Sequence, residues 1–344
     1  MSWSKLKQSE VSNINEVLKE TDASFFQYPY YAEGYKHMPL SSPVYIQYVK
    51  NSNLIAFCSI MEMGFWPFKI GLIIRGPVII VPQENGLTEL LEGLQAFAKK
   101  QGYMFIRINP SNYNDADNLD KIGSFIKEDY FPFYKGSQSK NFNVEYHSEE
   151  TLSGSFNQMC RRKIKHAEAE SFVYKHVETD DELKQVYELF TKVGGRKGFK
   201  YRSYKSYKEI YTNGKEHNLC SVYIALLNSK IVAAGFIVKD KNYYNYMSGG
   251  LIVEGYDSKN SPSAKLHYLA MLDCFYKEEK KYYNISYSGP DSDVYKFKSS
   301  FNPVVEDMPG YYTYISGKKR TFLFRFFSAK NVKKIRNLLR SFSK

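Results

Sequence analysis

Residues 44–110, VYIQYVKNSNLIAFCSIMEMGFWPFKIGLIIRGPVIIVPQENGLTELLEGLQAFAKKQGYMFIRINP, and residues 221–290, SVYIALLNSKIVAAGFIVKDKNYYNYMSGGLIVEGYDSKNSPSAKLHYLAMLDCFYKEEKKYYNISYSGP, present the same elements in the same order. Each opens on a run rich in β-branched and aromatic residues, turns at an Asn-Ser pair and continues as a second strand. A third strand follows, then a loop with Gly, Pro or Asn, an amphipathic helix, and a short strand ending in Asn109-Pro110 or Gly289-Pro290. The turn asparagines are 228 − 51 = 177 residues apart and the closing prolines 290 − 110 = 180. Loops absorb a difference of three, so this spacing predicts an internal duplication.

Helical patterns precede each copy. In the first, VSNINEVLKET is followed by SFFQYPYYAEGYKH, with apolar or aromatic residues at helical spacing. In the second, SFNQMCRRKIKHAEAES puts Phe156, Met159, Ile164 and Ala167 near one face, and Arg161, Arg162, Lys163 and Lys165 on the rest. DDELKQVYELFTKVGGR opens on acids and is expected to stop at Gly194-Gly195. Helix, helix, meander, helix, strand resembles the order of a GNAT-type acyltransferase. The expected fold class is α/β, with two tandem GNAT-like domains and mixed sheets carrying helices on both faces. Domain 1 is expected over 1–145, domain 2 over 146–317 and a tail over 318–344, with the boundary in the polar stretch 140–153.

Composition narrows the function classes. The chain has 344 residues, which suits two domains. Its aromatic content, with 31 Tyr and 24 Phe, either lines polar clefts or reflects a compositional bias of the genome. The start, MSWSKLKQSE, has no apolar core, so no secretory signal is expected. IGLIIRGPVIIV is too short and too interrupted for a membrane span. Cys58, Cys160, Cys220 and Cys274 lie far apart without paired spacing, so they read as reduced core thiols rather than a zinc or disulfide frame. The expected location is cytoplasmic, with peripheral association at the inner face of the membrane as a further expectation.

Several stretches resemble the Fem peptidyltransferase family in its compact form. SFFQYPYYAEGYK is similar to its early Phe-x-Gln motif followed by a substrate-binding basic residue, and IIRGP to a strand ending in Arg-Gly-Pro. RRKIKHAEAESFVYK resembles its Arg-rich helix and following strand, GGRKGFKYRSY its Arg…Gly-Phe…Arg/Tyr motif, and VYKFKSSFNP its C-terminal Phe-Lys-x-x-Phe signature. The matches run from about Phe25 to Tyr314. The resemblance implies transfer of an amino acid from aminoacyl-tRNA to an amine of a peptidoglycan or other cell-envelope precursor, without metal or cofactor. The helical-hairpin insertion of the longer members is absent.

Acyl transfer to an amine requires an uncharged nucleophile, a held carbonyl and stabilisation of the oxyanion. Lys298, with Phe297 beside it, is the candidate for that stabilisation. The resemblance implies that Lys36 and Arg196 bind the diphosphate of a nucleotide- or lipid-linked acceptor. Arginine does so with a two-pronged fork and lysine as a point charge. Tyr201, Arg202, Tyr204, Tyr246 and Ser248 are candidates to complete the pocket. No Ser-His-Asp or Cys-His arrangement is recognisable, which disfavours an acyl-enzyme. A base would be the substrate itself or a carboxylate such as Glu306 or Asp307. EGYDSKNSPSAKLHY lacks the glycine-rich pyrophosphate turn of acyl-CoA enzymes, although Ser261 and Ser263 are placed to cap a helix there.

Net charge is +12, but residues 318–344 carry ten Lys or Arg and no acid, leaving 12 − 10 = +2 for the rest. There Val332, Ile335, Leu338, Leu339 and Phe342 form one stripe opposite the cations, the profile of a helix lying on an anionic membrane. An RNA-contacting extension and a partner-binding helix are the rival readings. Two alternatives to the leading function stay open. One is N-acylation of an amino sugar from a CoA or other thioester, and the other is a sugar-diphosphate-binding module without chemistry.

Overall fold

The computed structural model describes residues 2–64, 69–82, 86–128, 140–252, 254, 257–290 and 292–317. The tail, with its expected amphipathic helix, lies outside the described residues. In chain order the elements begin with β1 (Trp3–Lys5), α1 (Val11–Lys19), α2 (Pro29–Ala32), β2 (Ser41–Lys50), β3 (Asn53–Met63), β4 (Ile70–Ile74) and β5 (Val78–Ile79). Then come α3 (Gly86–Lys100), β6 (Phe105–Asn109), α4 (Tyr113–Ile122), β7 (Ile126–Glu128), β8 (Lys140–Glu145), α5 (Glu149–Ser155), α6 (Gln158–His166) and β9 (Val173–His176). The remainder are α7 (Asp180–Lys197), α8 (Tyr204–Glu216), β10 (Cys220–Leu227), β11 (Lys230–Lys239), β12 (Tyr243–Leu251), α9 (Ser263–Leu272), β13 (Tyr282–Asn284), α10 (Asp293–Ser299), β14 (Val304–Asp307) and β15 (Tyr311–Ile315).

These elements form two units. Of the described residues, those within 2–14, 26–128 and 308–317 make the first, and those within 15–25 and 140–307 the second. The first sheet runs β1-β2-β3-β4-β6-β15-β7, with β5 beside β3, and the second runs β14-β8-β13-β12-β11-β10-β9. Both are mixed, with one parallel pair each, β4 with β6 and β12 with β13. Each unit has the same meander. Asn51-Ser52 and Asn228-Ser229 take left-handed φ values, 50° and 63° in one turn and 49° and 60° in the other, as a tight two-residue hairpin requires. The strand order departs from continuous domains over 1–145 and 146–317. β15, from the end of the chain, sits between β6 and β7, and β8 sits between β13 and β14.

The stretch 140–153 is not the loop expected from its polarity. β8 places Phe142 and Val144 in the core of the second unit. Its polar partners Asn141 and Asn143 are buried as well, because both donate to the Glu306 carboxylate, at 3.1 and 2.9 Å. Of the face expected for α6 and its flanks, Phe156, Ile164 and Ala167 are buried, Cys160 joins them, and Met159 alone departs, at 43% exposed.

The cores follow the periodicities. In the first unit α3 buries Leu90, Leu91, Leu94, Phe97 and Ala98 against Ile46, Ala56, Cys58 and Ile60. Each fully buried leucine or phenylalanine contributes about 1.5–3 kcal/mol. In the second unit Leu266, Ala270, Met271 and Cys274 pack with Ile237 on one face of the sheet. Phe236, on the opposite face by strand alternation, meets Tyr207 of α8 at 5.1 Å. All four cysteines are buried and free, as expected.

Gln27, of the Phe-x-Gln stretch, is fully buried and closes a gap in the first sheet. β3 and β4 pair only over Met61–Met63 and Ile70–Leu72. Beyond that, Gln27 Nε2 donates to the Ile74 carbonyl at 2.7 Å and its Oε1 accepts from Ser59 N–H at 2.9 Å. One side-chain amide thus stands in for the ladder between parting strands. Just upstream, Phe25 N–H donates to the buried Asp240 carboxylate at 3.2 Å, which fixes 15–25 to the second unit.

Helix α7 runs through Gly194-Gly195 and ends at Gly198, whose φ is 74°. Gly198 is the stop and Gly194 serves a different purpose. A Cβ on Gly194 would come 2.7 Å from the Phe199 carbonyl oxygen, and Phe199 N–H donates back to the Gly194 carbonyl at 3.0 Å. Only a glycine lets residues 199–201 fold back onto the last turn.

Candidate active site

The two parallel strand pairs differ in a way that places the cavity. β4 and β6 stay paired over five residues, Ile70–Ile74 with Phe105–Asn109. β12 and β13 pair over only three, Tyr243–Asn245 with Tyr282–Asn284. They then part, and a bulge in β12 at Met247 re-aims that strand, since Phe236 faces Ser248 while Ile237 faces Tyr246. A cavity of about 530 Å3 opens at this fork. Its walls come from the end of α7 and the turn after it, from Tyr246–Leu251 of β12, from Ser261, Ser263, Leu266 and His267 around the start of α9, and from α10.

The crotch of the fork is held by a chain of short polar contacts. Asn284 donates to the Asn245 side-chain oxygen at 3.2 Å and accepts from Ser286 N–H at 2.8 Å. Ser286 takes a left-handed φ of 63° and its hydroxyl donates to the Tyr246 carbonyl at 2.7 Å. That turn aims the Ser286 carbonyl at Lys298, whose ammonium donates to it at 2.8 Å. Lys298 sits on α10, whose first turn is capped by the Ser292 hydroxyl accepting from Tyr295 N–H. The lysine is only 7% exposed, and burial pushes its pKa down to about 8.

Around this ammonium the walls are aromatic. The Tyr246 ring lies 5.7 Å from Lys298 Nζ and 4.6 Å from the His267 ring. Tyr246 lies flat along the sheet because Gly249 leaves room. A Cβ there would overlap its hydroxyl. Burial raises the Tyr246 pKa, so it remains a phenol. His267 is 3% exposed, and its Nδ1 meets the Tyr283 hydroxyl at 2.7 Å. Burial, with the charge of Lys298 second, pushes its pKa down to about 3. The described lining carries four cations, Lys163, Arg196, Lys197 and Lys298, and no carboxylate. Such a cavity favours an anionic ligand or an anionic transition state.

Of the residues expected from sequence, Lys298, Phe297, Arg196, Tyr201, Tyr246 and Ser248 border this one cavity. Arg196 is exposed at the mouth, with its guanidinium 3.4 Å from the Leu251 carbonyl. Tyr201 donates to the Gly249 carbonyl at 2.7 Å and stacks on Phe190 at 5.1 Å, and burial pushes its pKa up to about 12. The Ser248 hydroxyl lies 2.6 Å from that of Tyr207. Arg202 and Tyr204 are not among the lining residues. Tyr204 instead packs on Tyr187, with ring centres 5.6 Å apart. Lys36 belongs to the first unit, where it forms an ion pair with Glu33. Glu306 and Asp307 are not placed as bases. They lie on β14, where Glu306 accepts from the two asparagines of β8 and Asp307 pairs with Lys140 at 2.9 Å. Ser261 and Ser263 do border the cavity, yet the position before α9 is Pro262 and no side chain caps that helix. His267, Lys163 and Lys197 are chemically capable lining residues that sequence reasoning missed. Among the described residues there is no cluster that would hold a metal ion, and no helix is long and apolar enough to cross a membrane.

Comparison with known proteins bears on the fold. Residues 154–296 match the family described as acetyltransferase (GNAT) domain. No curated protein matches the sequence. Among solved structures, FemX is similar over 92% of this chain and 97% of its own, with a TM-score of 0.76 at 15% identity. The C-terminal domain of a putative lysylphosphatidylglycerol synthetase from Agrobacterium fabrum is similar over 92% and 95%, with a TM-score of 0.59 at 10% identity. A tandem GNAT protein from the clavulanic acid biosynthesis pathway is similar over 92% and 99%, with a TM-score of 0.55 at 10% identity. The chain therefore has a tandem GNAT-like α/β fold, the architecture of FemX, and the cavity described above lies in its second unit.

Proposed function

We propose that this protein is an N-acyltransferase that moves an aminoacyl group from aminoacyl-tRNA to an amine of a cell-envelope precursor, nucleotide- or lipid-linked. The observation that carries the reading is Lys298. It is a buried ammonium at the fork of β12 and β13, held by the Ser286 carbonyl, in a cavity with four cations and no carboxylate among its described lining. An ammonium so placed stabilises the negative charge that develops on an acyl oxygen, and in a site of low dielectric it does so strongly. The Tyr246 ring lies beside it, and only 7% of the lysine is exposed to water. Arg196 and Lys197 at the mouth suit the phosphates of donor or acceptor. The likeness to FemX and to the lysylphosphatidylglycerol synthetase domain is the reason an aminoacyl donor is put first in this reading. The first unit, with Lys36, is assigned to the acceptor, and residues 318–344 to an anionic membrane surface. No metal or cofactor is assigned a part.

A thioester donor is the second reading. It is favoured by the acetyltransferase description of residues 154–296 and by Ser261 and Ser263 standing at the start of α9 on the cavity wall. Mass spectrometry separates the two. The full chain is given charged tRNAs, a pool of CoA thioesters, and lipid- and nucleotide-linked muramyl peptides. An acceptor that gains an amino-acid mass, with the gain abolished by ribonuclease, supports the tRNA reading. Products that need only the thioester overturn it in favour of the second.

A further inference from the structure

We propose that His267 is a second oxyanion donor of this cavity, held by Tyr283 as the tautomer with its proton on Nε2. This rests on the acyl-transfer reading above for its chemical role, while the tautomer follows from the hydrogen bonds alone.

Tyr283 is fully buried on β13, and its hydroxyl has one hydrogen-bond partner among the described residues, His267 Nδ1 at 2.7 Å. Two arrangements are possible. If Nδ1 carried the proton and donated it to the tyrosine oxygen, the buried Tyr283 O–H would have no acceptor. If Nδ1 accepts, the hydroxyl is satisfied and the proton resides on Nε2. The second arrangement leaves nothing buried unpaired, because the Nε2 side borders the cavity, where solvent or substrate meets it. Nε2 itself has no partner among the described residues. A turned ring would put a C–H against the buried Tyr283 hydroxyl in place of Nδ1 and lose that hydrogen bond. The imidazole is boxed by Tyr246 at 4.6 Å, Phe297 at 5.7 Å and Phe301 at 5.6 Å, the last two from α10 and the residues after it.

Burial and the nearby Lys298 keep the imidazole uncharged, which makes it a poor base and a durable neutral donor. The Lys298 ammonium and the His267 Nε2–H belong to residues lining one cavity, and in the proposed role these two unlike donors serve the same oxygen. In the step they assist, the acceptor amine attacks the acyl carbon, a C–N bond forms and the carbonyl π pair moves onto oxygen. The pair returns as the bond from the acyl carbon to the carrier oxygen or sulfur breaks. The carrier leaves as a hydroxyl or thiol, taking the proton shed by the attacking nitrogen. Nothing is oxidised or reduced, and neither donor loses its proton.

The tautomer is read directly on the full chain by long-range 15N–1H correlation of the imidazoles at about pH 7. The six histidines are resolved by assigning the His267 signal through its loss in His267→Gln. The expected signal places the proton on Nε2, and Tyr283→Phe is expected to convert it to a mixture. A proton on Nδ1 in the wild-type protein overturns the inference, whatever the enzyme does. Turnover then tests the role. The amide nitrogen of Gln reaches about as far as Nε2, whereas that of Asn reaches only as far as Nδ1. His267→Gln is expected to keep kcat within about tenfold, and His267→Asn to lose about 10²–10³ with KM for both substrates little changed. Equal losses in the two variants overturn the donor role. If the wild-type protein transfers nothing from any donor, the functional reading has failed, and the spectrum alone still decides the tautomer.

Discussion

Replacing Lys298 with methionine is expected to make the protein more stable and inactive at once. The folded chain holds this ammonium where its pKa falls from 10.5 to about 8, with burial as the cause. At about 1.4 kcal/mol per pH unit, that drop corresponds to roughly 3 kcal/mol of stability lost by keeping the group charged at neutral pH. Methionine has a similar length, carries no charge and can occupy the same buried space beside Tyr246. Against the gain stands the Ser286 carbonyl, which loses its 2.8 Å donor and offsets about 1 kcal/mol. The net expectation for Lys298→Met is about 1–3 kcal/mol of added stability at pH 7. The sign with pH is definite. A lysine whose folded pKa is depressed binds its proton less readily when folded than when unfolded, so wild-type stability rises as pH climbs from about 8 to 10.5. The variant lacks that rise, and its advantage shrinks over the same window. Urea unfolding of both proteins at pH 7 and at about pH 10 reads this, because other titrating groups cancel in the difference. A variant less stable than wild type at pH 7, or an advantage that does not change with pH, would refute the idea that the site keeps a desolvated charge for its chemistry.

Two further expectations concern the scaffold. Gln27→Leu leaves Ser59 N–H and the Ile74 carbonyl without partners inside the first unit, and should cost about 2–4 kcal/mol in urea unfolding. A loss below about 0.5 kcal/mol would show that the side chain does not bridge the strands. Gly194→Ala drives a methyl against the Phe199 carbonyl and should displace the turn that carries Tyr201. About 1–3 kcal/mol of destabilisation is expected together with a raised KM in the transfer assay, and an unchanged KM would count against that turn forming the cavity wall.

The repeat was legible because its signals are local. Asn-Ser at both hairpins, alternation along the strands and the apolar spacing of α3 each act over a few residues, and each predicts its element without help from the rest of the chain. Lys298 and Phe297 were legible through a resemblance, and the cavity then gave them a common setting with Arg196, Tyr201, Tyr246 and Ser248. What escaped depends on residues far apart. β8 reads as polar until Glu306, more than 160 positions later, satisfies Asn141 and Asn143. Gly194 reads as a helix stop until Phe199 folds back onto it. His267 lies in SAKLHYLAML, a stretch whose helix buries Leu266, Ala270 and Met271, and there a histidine reads as one more core residue. Its chemistry appears only when β13 brings Tyr283 to its Nδ1. A polar residue on the apolar, buried face of that helix was the one local signal available for it.

The strands β8 and β15 have a consequence for how such a chain is made and how it arose. Among the described residues, β7 is joined to the first sheet only through β15, and β14 to the second only through β8. As the ribosome releases the chain from its start, the first sheet waits without its penultimate strand until residue 315 has emerged. A fragment ending near residue 139 would expose the edge of β6 to any strand that could pair with it. The same arrangement describes a lineage. Two copies of a single ancestral unit that traded this strand would form a closed, symmetric dimer. Joining their genes end to end would yield the order found here, each half completed by the segment that follows the other.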